Sequence, residues 1–257
     1  MKLLCIGDVV ASSGCNFLRE KLPTLKRTLG IDIVICNGEN SADGNGILPT
    51  SADFLFASGV DVITLGNHSF RRREIYPYLE DNEFIIRPAN YPKGTTPGRG
   101  VCILDCTRYT LAVVNLMGNV FNPAPLNCPF YTVDDILKDI KADVIVVDIH
   151  AEATSEKRSL GFYLDGRVSA VFGTHTHVQT ADAQVLPKGT GYITDAGMTG
   201  PKDLVLGINP EITVTSFRDK LPIRFEPLRG ECMMDCVLFE IDEKTGRAIS
   251  AEAMSIR

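Results

Sequence analysis

The sequence predicts an α/β fold, and three observations carry that prediction. Short, nearly continuous apolar runs recur, and each ends in a polar, glycine-containing turn. Stretches of helical periodicity lie between several of them. After Thr190 the pattern changes to strand-like segments joined by turns.

In chain order, the apolar runs are KLLCIGD (2–8), IDIVICNGEN (31–40), DVITLGNH (61–68), DVIVVDIH (143–150) and VSAVFGTHTH (168–177). They read as buried strands. Helical patterns cover Asn16 to Leu29, with Pro23 as a kink, then Ser51 to Ser58, Arg72 to Glu80 and Val133 to Ile140. Apolar strands joined by helices imply a largely parallel sheet covered on both faces. Strands are also expected near 101–105 and 110–116. The last segments, Glu231 to Ile241 and Ala248 to Ile256 around a Lys244-Thr245-Gly246 turn, read as an antiparallel hairpin.

With 44% hydrophobic, 23% charged and 7% aromatic residues, the chain has the composition of an ordinary soluble globular protein. At this length roughly 73% of the unfolded surface could be buried, enough for one substantial core. No repeat, low-complexity tract or Ser/Gly linker marks a boundary, so one domain over 1–257 is expected, with a loop-rich, cap-like region at about 88–131. A formal charge of -6 repels a phosphate backbone, and no stable duplex nucleic acid partner is expected. The only basic run, Arg71-Arg72-Arg73, reads as a solvated helix start, with an anion contact as the alternative.

The opening apolar run is too short for a secretory signal, and no stretch approaches the ~18 apolar residues of a membrane span. A cytoplasmic protein without a membrane partner is expected. Among its 8 cysteines, Cys5 and Cys36 sit in apolar runs as small hydrophobes. Cys102/Cys106 and Cys232/Cys236 share a CxxxC spacing that zinc could use, but both pairs lie in apolar, alternating runs and read as core.

Polar residues close the strands. Asp8 closes the first, Glu39 and Asn40 follow the second, Asn67 and His68 the third, His150 ends a later one, and His175 and His177 follow another. Functional groups of open α/β sheets gather at strand carboxyl ends, and all 4 histidines of the chain belong to this set. Carboxylates, side-chain amides and imidazoles without a thiolate suit borderline metals such as Mn, Fe, Zn or Co, and the set exceeds what one tetrahedral ion needs. Two metals sharing a carboxylate is the economical reading, with positive charge left over for a phosphate and for acidifying a water. A strand conformation would put His175 and His177 on the same side, whereas a turn would fan them apart. There is no G-x-S-x-G elbow, Walker loop or dinucleotide fingerprint. Gly44-Asn45-Gly46 and the turn from Gly197 to Lys202 read as turn geometry, with backbone approach to a ligand as the alternative.

GDVV, NGEN, LGNH, DIHAEATSEK and GTHTHVQTAD, together with RPANYPKGTTPGRG and TDAGMTGP, span the chain. In these motifs it resembles the YmdB-like family of bacterial calcineurin-type metallophosphoesterases. The resemblance implies a four-layer α/β sandwich of two mixed sheets flanked by helices, a binuclear Fe or Mn centre, a homo-oligomer, and phosphodiesterase activity that opens small-molecule 2',3'-cyclic nucleotides to 3'-nucleotides. It implies Asp8 and His177 as ligands of a first metal, Glu39 as the bridge, and Asn40, Asn67, His150 and His175 as ligands of a second. His68 is implied as the general acid for the leaving 2' oxygen, which suits an imidazole at neutral pH.

Three departures stand out. Val10 occupies the position where the wider superfamily writes the histidine of Asp-x-His. Ala11-Ser12-Ser13-Gly14-Cys15 stands where this branch often has a Gly and an Arg in the turn after GDVV, and Ser69-Phe70-Arg71 where it often has an aromatic and then Asp. The same metal core could also serve a phosphomonoesterase or phosphoprotein phosphatase, or a regulatory protein that senses a nucleotide.

Overall fold

Side-chain alternation decides the layers. In the first strand Leu3 and Cys5 point to one side and Leu4 and Ile6 to the other, and all four are fully buried. A strand buried on both faces needs a layer against each. The computed structural model describes residues 1–92, 94–205, 208–220 and 230–257.

The chain begins β1 (Lys2–Ile6), β2 (Asp8–Val9), α1 (Ala11–Leu29), β3 (Ile33–Asn37), α2 (Pro49–Ala57), β4 (Val62–Thr64), α3 (Ile75–Asp81) and β5 (Ile85–Ile86). It continues through β6 (Val101–Asp105), β7 (Thr110–Met117), α4 (Pro129–Asp139), β8 (Val144–His150), α5 (Thr154–Leu164) and β9 (Ala170–Thr174). It closes with β10 (Gln184–Val185), β11 (Gly191–Ile193), β12 (Met198–Pro201), α6 (Pro210–Asp219), β13 (Cys232–Ile241) and β14 (Ala248–Ile256).

These strands form two mixed sheets, not the single parallel one expected from the apolar runs. The first has the order β2-β12-β13-β1-β3-β4-β5, with β14 also on β13; the second is β10-β11-β9-β8-β7-β6. β1, β3, β4 and β5 run parallel, as do β7, β8, β9 and β11. The C-terminal hairpin β13–β14 is antiparallel over Met234 to Ile241, and it adds to the first sheet because β13 also pairs with β1.

Four layers follow from three cores. Leu18 and Leu22 of α1, Leu55 of α2 and Leu79 of α3 pack on Leu4, Ile6, Val34 and Cys36. Between the sheets, Leu3, Cys5 and Ile35 meet Val113, Val146 and Phe172. On the far side Val114, Val147 and Val171 pack on Val133 of α4 and Leu160 and Leu164 of α5. No helix among the described residues is long and apolar enough to cross a membrane.

Local chemistry shifts several expected boundaries. α1 starts at Ala11, five residues before the expected Asn16, continues through Pro23, and ends on Gly30 in the left-handed region at φ 66°. Its buried positions Ala11, Cys15, Leu18 and Leu22 keep helical spacing from the first residue. α3 begins at Ile75, after the arginine run. Arg72 instead donates to the carbonyls of Asp43 (2.7 Å) and Asn45 (3.0 Å), so it braces the Gly44-Asn45-Gly46 turn and does not start the helix. All three residues of that turn have positive φ, which supports the reading as turn geometry. Residues 101–117 of the loop-rich region form β6 and β7 of the second sheet. All eight cysteines are free, and Cys102 and Cys236 are buried.

Candidate metal centre

Strand order brings the polar strand ends together. β1, β3 and β4 are parallel neighbours, and just beyond their carboxyl ends stand Asp8, Glu39 with Asn40, and Asn67 with His68. In the second sheet β8 ends on His150, and its parallel neighbour β9 leads into His175 and His177. The set therefore straddles the carboxyl edges of both sheets, where α/β folds place their sites.

Glu39, 1% exposed, is the hub. Its Oε1 lies 3.3 Å from His150 Nε2, accepts from Asn40 Nδ2 at 3.1 Å, and lies 3.1 Å from His68 Nδ1. Its Oε2 accepts the His68 backbone N–H at 2.8 Å. On one side His150 Nε2 also meets Asn67 Oδ1 (2.8 Å) and His175 Nδ1 (3.0 Å). On the other, Asn40 Nδ2 lies 3.4 Å from His177 Nε2, which lies 3.5 Å from Asp8 Oδ1. The structure thus brings together all eight residues singled out from the sequence. The two histidines of His175-Thr176-His177 have φ of 100° and 61°, and this turn directs one ring to His150 and the other to Asp8. Such left-handed non-glycine residues are costly and collect at functional sites.

The donors fit a metal ion. Glu39, His150 and His175 present ligand atoms that all lie within 4.8 Å of one another. Asp8 Oδ1 and His177 Nδ1 are buried with no hydrogen-bond partner. Gly66 has to be glycine, since a Cβ there would fall 2.3 Å from His150 Nε2 and 2.5 Å from Glu39 Oε2. The protonation pattern agrees. Burial alone would raise the Glu39 carboxyl, but the His150 and His68 imidazoles hold it well below the usual range. Burial likewise opposes ionisation of Asp8, yet His177 keeps it lowered. His150 is raised to about 9 because Glu39, Asp8 and Asp148 outweigh its burial. Burial and the neighbouring His150 push His175 down to about 4. The carboxylates therefore demand positive charge among the imidazoles, which protons supply here and a metal supplies by displacing them.

A supporting layer behind these side chains escaped the sequence reading. Thr174 Oγ1 donates to Asp148 Oδ1 (2.8 Å) and so accepts from His150 Nδ1 (3.0 Å), which fixes the tautomer that turns Nε2 toward Glu39. Burial raises Asp148 to about 7, against the hydrogen bonds from Thr64 and Thr174. Lys157 and Asp195 form a fully buried ion pair beside the histidine turn. Glu152 Oε2 lies 3.2 Å from His175 Nε2, and its place in the HAE string was the one available signal.

The departures resolve locally. Ala11 sits at φ 56°, a conformation that favours glycine, and its N–H donates to Asn40 O at 2.8 Å. Ser69 is buried with its hydroxyl on Gly66 O, and Phe70 packs edge-on to Tyr91 at 5.1 Å.

The four-layer sandwich with a carboxylate, amide and imidazole crevice at its strand ends defines the class: the fold is shared with the calcineurin-like phosphoesterase YfkN from Bacillus subtilis, at 13% identity and a TM-score of 0.56 over 100% of this chain and 90% of that one. Residues 4–254 match the family model described as YmdB-like protein. The chain belongs to that family, and with it to the phosphoesterase enzymes. It is 45% identical over 258 residues, covering 100% of this chain and 97% of the relative, to a 2',3'-cyclic-nucleotide 2'-phosphodiesterase of Bacillus subtilis strain 168. The crystal structure of a novel phosphatase from Mycoplasma pneumoniae superposes with a TM-score of 0.95 at 33% identity, over 100% of this chain and 93% of that one.

Proposed function

We propose that this chain is a metal-dependent phosphodiesterase that opens 2',3'-cyclic nucleotides to 3'-nucleotides. The observation that carries the reading is the position of Glu39 between two donor groups, His150 with Asn67 and His175 on one side and Asn40 with His177 and Asp8 on the other. The 45% identity to a relative named for that activity supports the substrate class.

In this reading Glu39 would help to hold both ions, with Asp8, Asn40 and His177 for the first and Asn67, His150 and His175 for the second. The resemblance implies Asn40 for the second ion; here its side chain lies 3.4 Å from His177, and it is grouped with the first. Bound there, Fe or Mn would supply Lewis-acid charge for the phosphoryl oxygens and lower the pKa of a water. The chain's own residues do the rest. His68 Nδ1 donates to Asn40 Oδ1 (2.9 Å) and faces Glu39 Oε1 (3.1 Å), which orients the ring and leaves Nε2 to deliver the proton. Water adds to phosphorus, losing one proton, as the P–O2' bond breaks and the His68 Nε2 proton passes to the leaving 2' oxygen. Thr174 and Asp148 hold His150 in its orientation. The reading extends to a cytoplasmic homo-oligomer.

A substrate panel tests the proposal. Hydrolysis of 2',3'-cyclic AMP, with 4-nitrophenyl phosphate and a phosphoserine peptide inert, is the expected result. Cleavage of the monoesters with the cyclic diester intact would transfer the site to a phosphomonoesterase.

A further inference from the structure

A cavity of about 260 Å³ opens directly beside the donor set, with Asn67, His150 and His175 on one wall and Val120 and Phe121 on another. Phe121 is 84% exposed, the largest fraction among the exposed large apolar side chains of the described residues. An aromatic ring left in water forgoes the burial by which such a side chain elsewhere stabilises a fold. Its backbone is also unfavourable, with φ 61° at a bulky residue.

The loop that presents this ring is built, not loose. Buried Asn90 clamps its two ends by donating to Met117 O (2.7 Å) and Asn127 O (3.1 Å). Glu156 accepts the backbone N–H groups of Asn119 (2.9 Å) and Val120 (3.2 Å), just before Phe121. Gly118 permits that approach, since a Cβ there would lie 2.3 Å from Glu156 Oε2. Asn122 folds back onto Gly118 O at 2.9 Å. The chain thus spends a carboxylate, two amides and a left-handed residue on holding one phenyl ring at the mouth of the cavity.

We propose that Phe121 is the stacking platform for the nucleobase, the part of the substrate that the metal centre cannot read. The proposal rests on the cyclic-nucleotide reading above and deepens it. With the phosphate at the strand ends, the ribose spans the cavity and the base reaches the Val120–Phe121 wall. A flat apolar ring accepts the face of any base, so recognition there is of an aromatic ring and not of a hydrogen-bond pattern.

The experiment compares 2',3'-cyclic AMP with methyl riboside 2,3-cyclic phosphate, a cyclic diester without a base, in wild type, Phe121→Ala and Phe121→Tyr. The ratio of kcat/KM for the nucleotide over the base-free diester is expected to fall roughly 10- to 100-fold in Phe121→Ala, the scale of losing one stacked base, and to stay near wild type in Phe121→Tyr. An equal ratio in all three proteins would overturn the proposal. So would an equal loss on both substrates accompanied by a changed sedimentation coefficient, which would assign the ring to a contact between copies of the chain. If wild type opens neither diester, the activity reading fails by itself. Calorimetric binding of 3'-AMP and of ribose 3-phosphate then decides the platform, which requires weaker binding of 3'-AMP alone in Phe121→Ala and is refuted by unchanged binding.

Discussion

Lys157 Nζ lies 2.6 Å from Asp195 Oδ2, and both side chains are fully buried. The pair spans from α5 to the residues after β11, and its hydrogen bonds close around the histidine turn. Lys157 also donates to Thr174 O (2.6 Å), while Asp195 accepts from Thr176 N (3.1 Å) and Thr176 Oγ1 (2.7 Å). Thr174 and Thr176 flank His175, so the ion pair fixes the backbone on which His175 and His177 take their left-handed conformations.

Removing one member strands a buried charge. Lys157→Met or Asp195→Asn alone should each destabilise the protein by about 3–5 kcal/mol in urea unfolding, whereas the double variant should recover a large part of that loss. Strictly additive losses would show that the two charges do not depend on each other.

Gly66 leaves no space for a side chain between His150 and Glu39. Gly66→Ala should keep the far-ultraviolet circular dichroism of the fold but lower the metal bound per chain, read by elemental analysis, with activity falling in step. Full metal content would mean that this contact is not part of the centre.

Ala11 adopts φ 56° at the start of α1. A left-handed non-glycine residue costs about 1–2 kcal/mol, and glycine returns about 0.5–1 kcal/mol of that through unfolded-state entropy. Ala11→Gly is therefore expected to raise the Tm by about 1–3 °C in calorimetry. A lowered Tm would contradict this account of the turn.

His68 touches Glu39 and Asn40 through Nδ1, with its side chain 29% exposed. His68→Ala should retain bound metal and lose roughly 10²- to 10⁴-fold in turnover, the scale of a missing general acid. Unchanged turnover on a cyclic diester would take the residue out of that role.

The polar strand ends were legible because each one interrupts an apolar run, as Asp8 does after Cys5 and Ile6. Asp148 and Thr174 were not, since a buried polar residue inside a strand reads the same whether it backs a ligand or faces water. α5 escaped for a related reason. Its buried face is Lys157, Leu160, Gly161 and Leu164, so a lysine occupies the first apolar slot and hides the helical stripe. α6 buries Thr213 and leaves Val214 and Phe217 exposed, which gives no core-facing periodicity to read. The two-sheet layering was equally hidden in the apolar runs, because a strand buried on both faces carries no mark of what covers it; only the family resemblance carried that part of the fold.

The proposed function requires that this donor set make a metal-dependent centre that cleaves the P–O2' bond. Purified protein, stripped with chelator and resupplied with Mn or Fe, is incubated with 2',3'-cyclic AMP, and the product is identified by chromatography. The expected product is 3'-AMP, formed only after metal is returned. Formation of 2'-AMP, or equal turnover by the stripped protein, would contradict it.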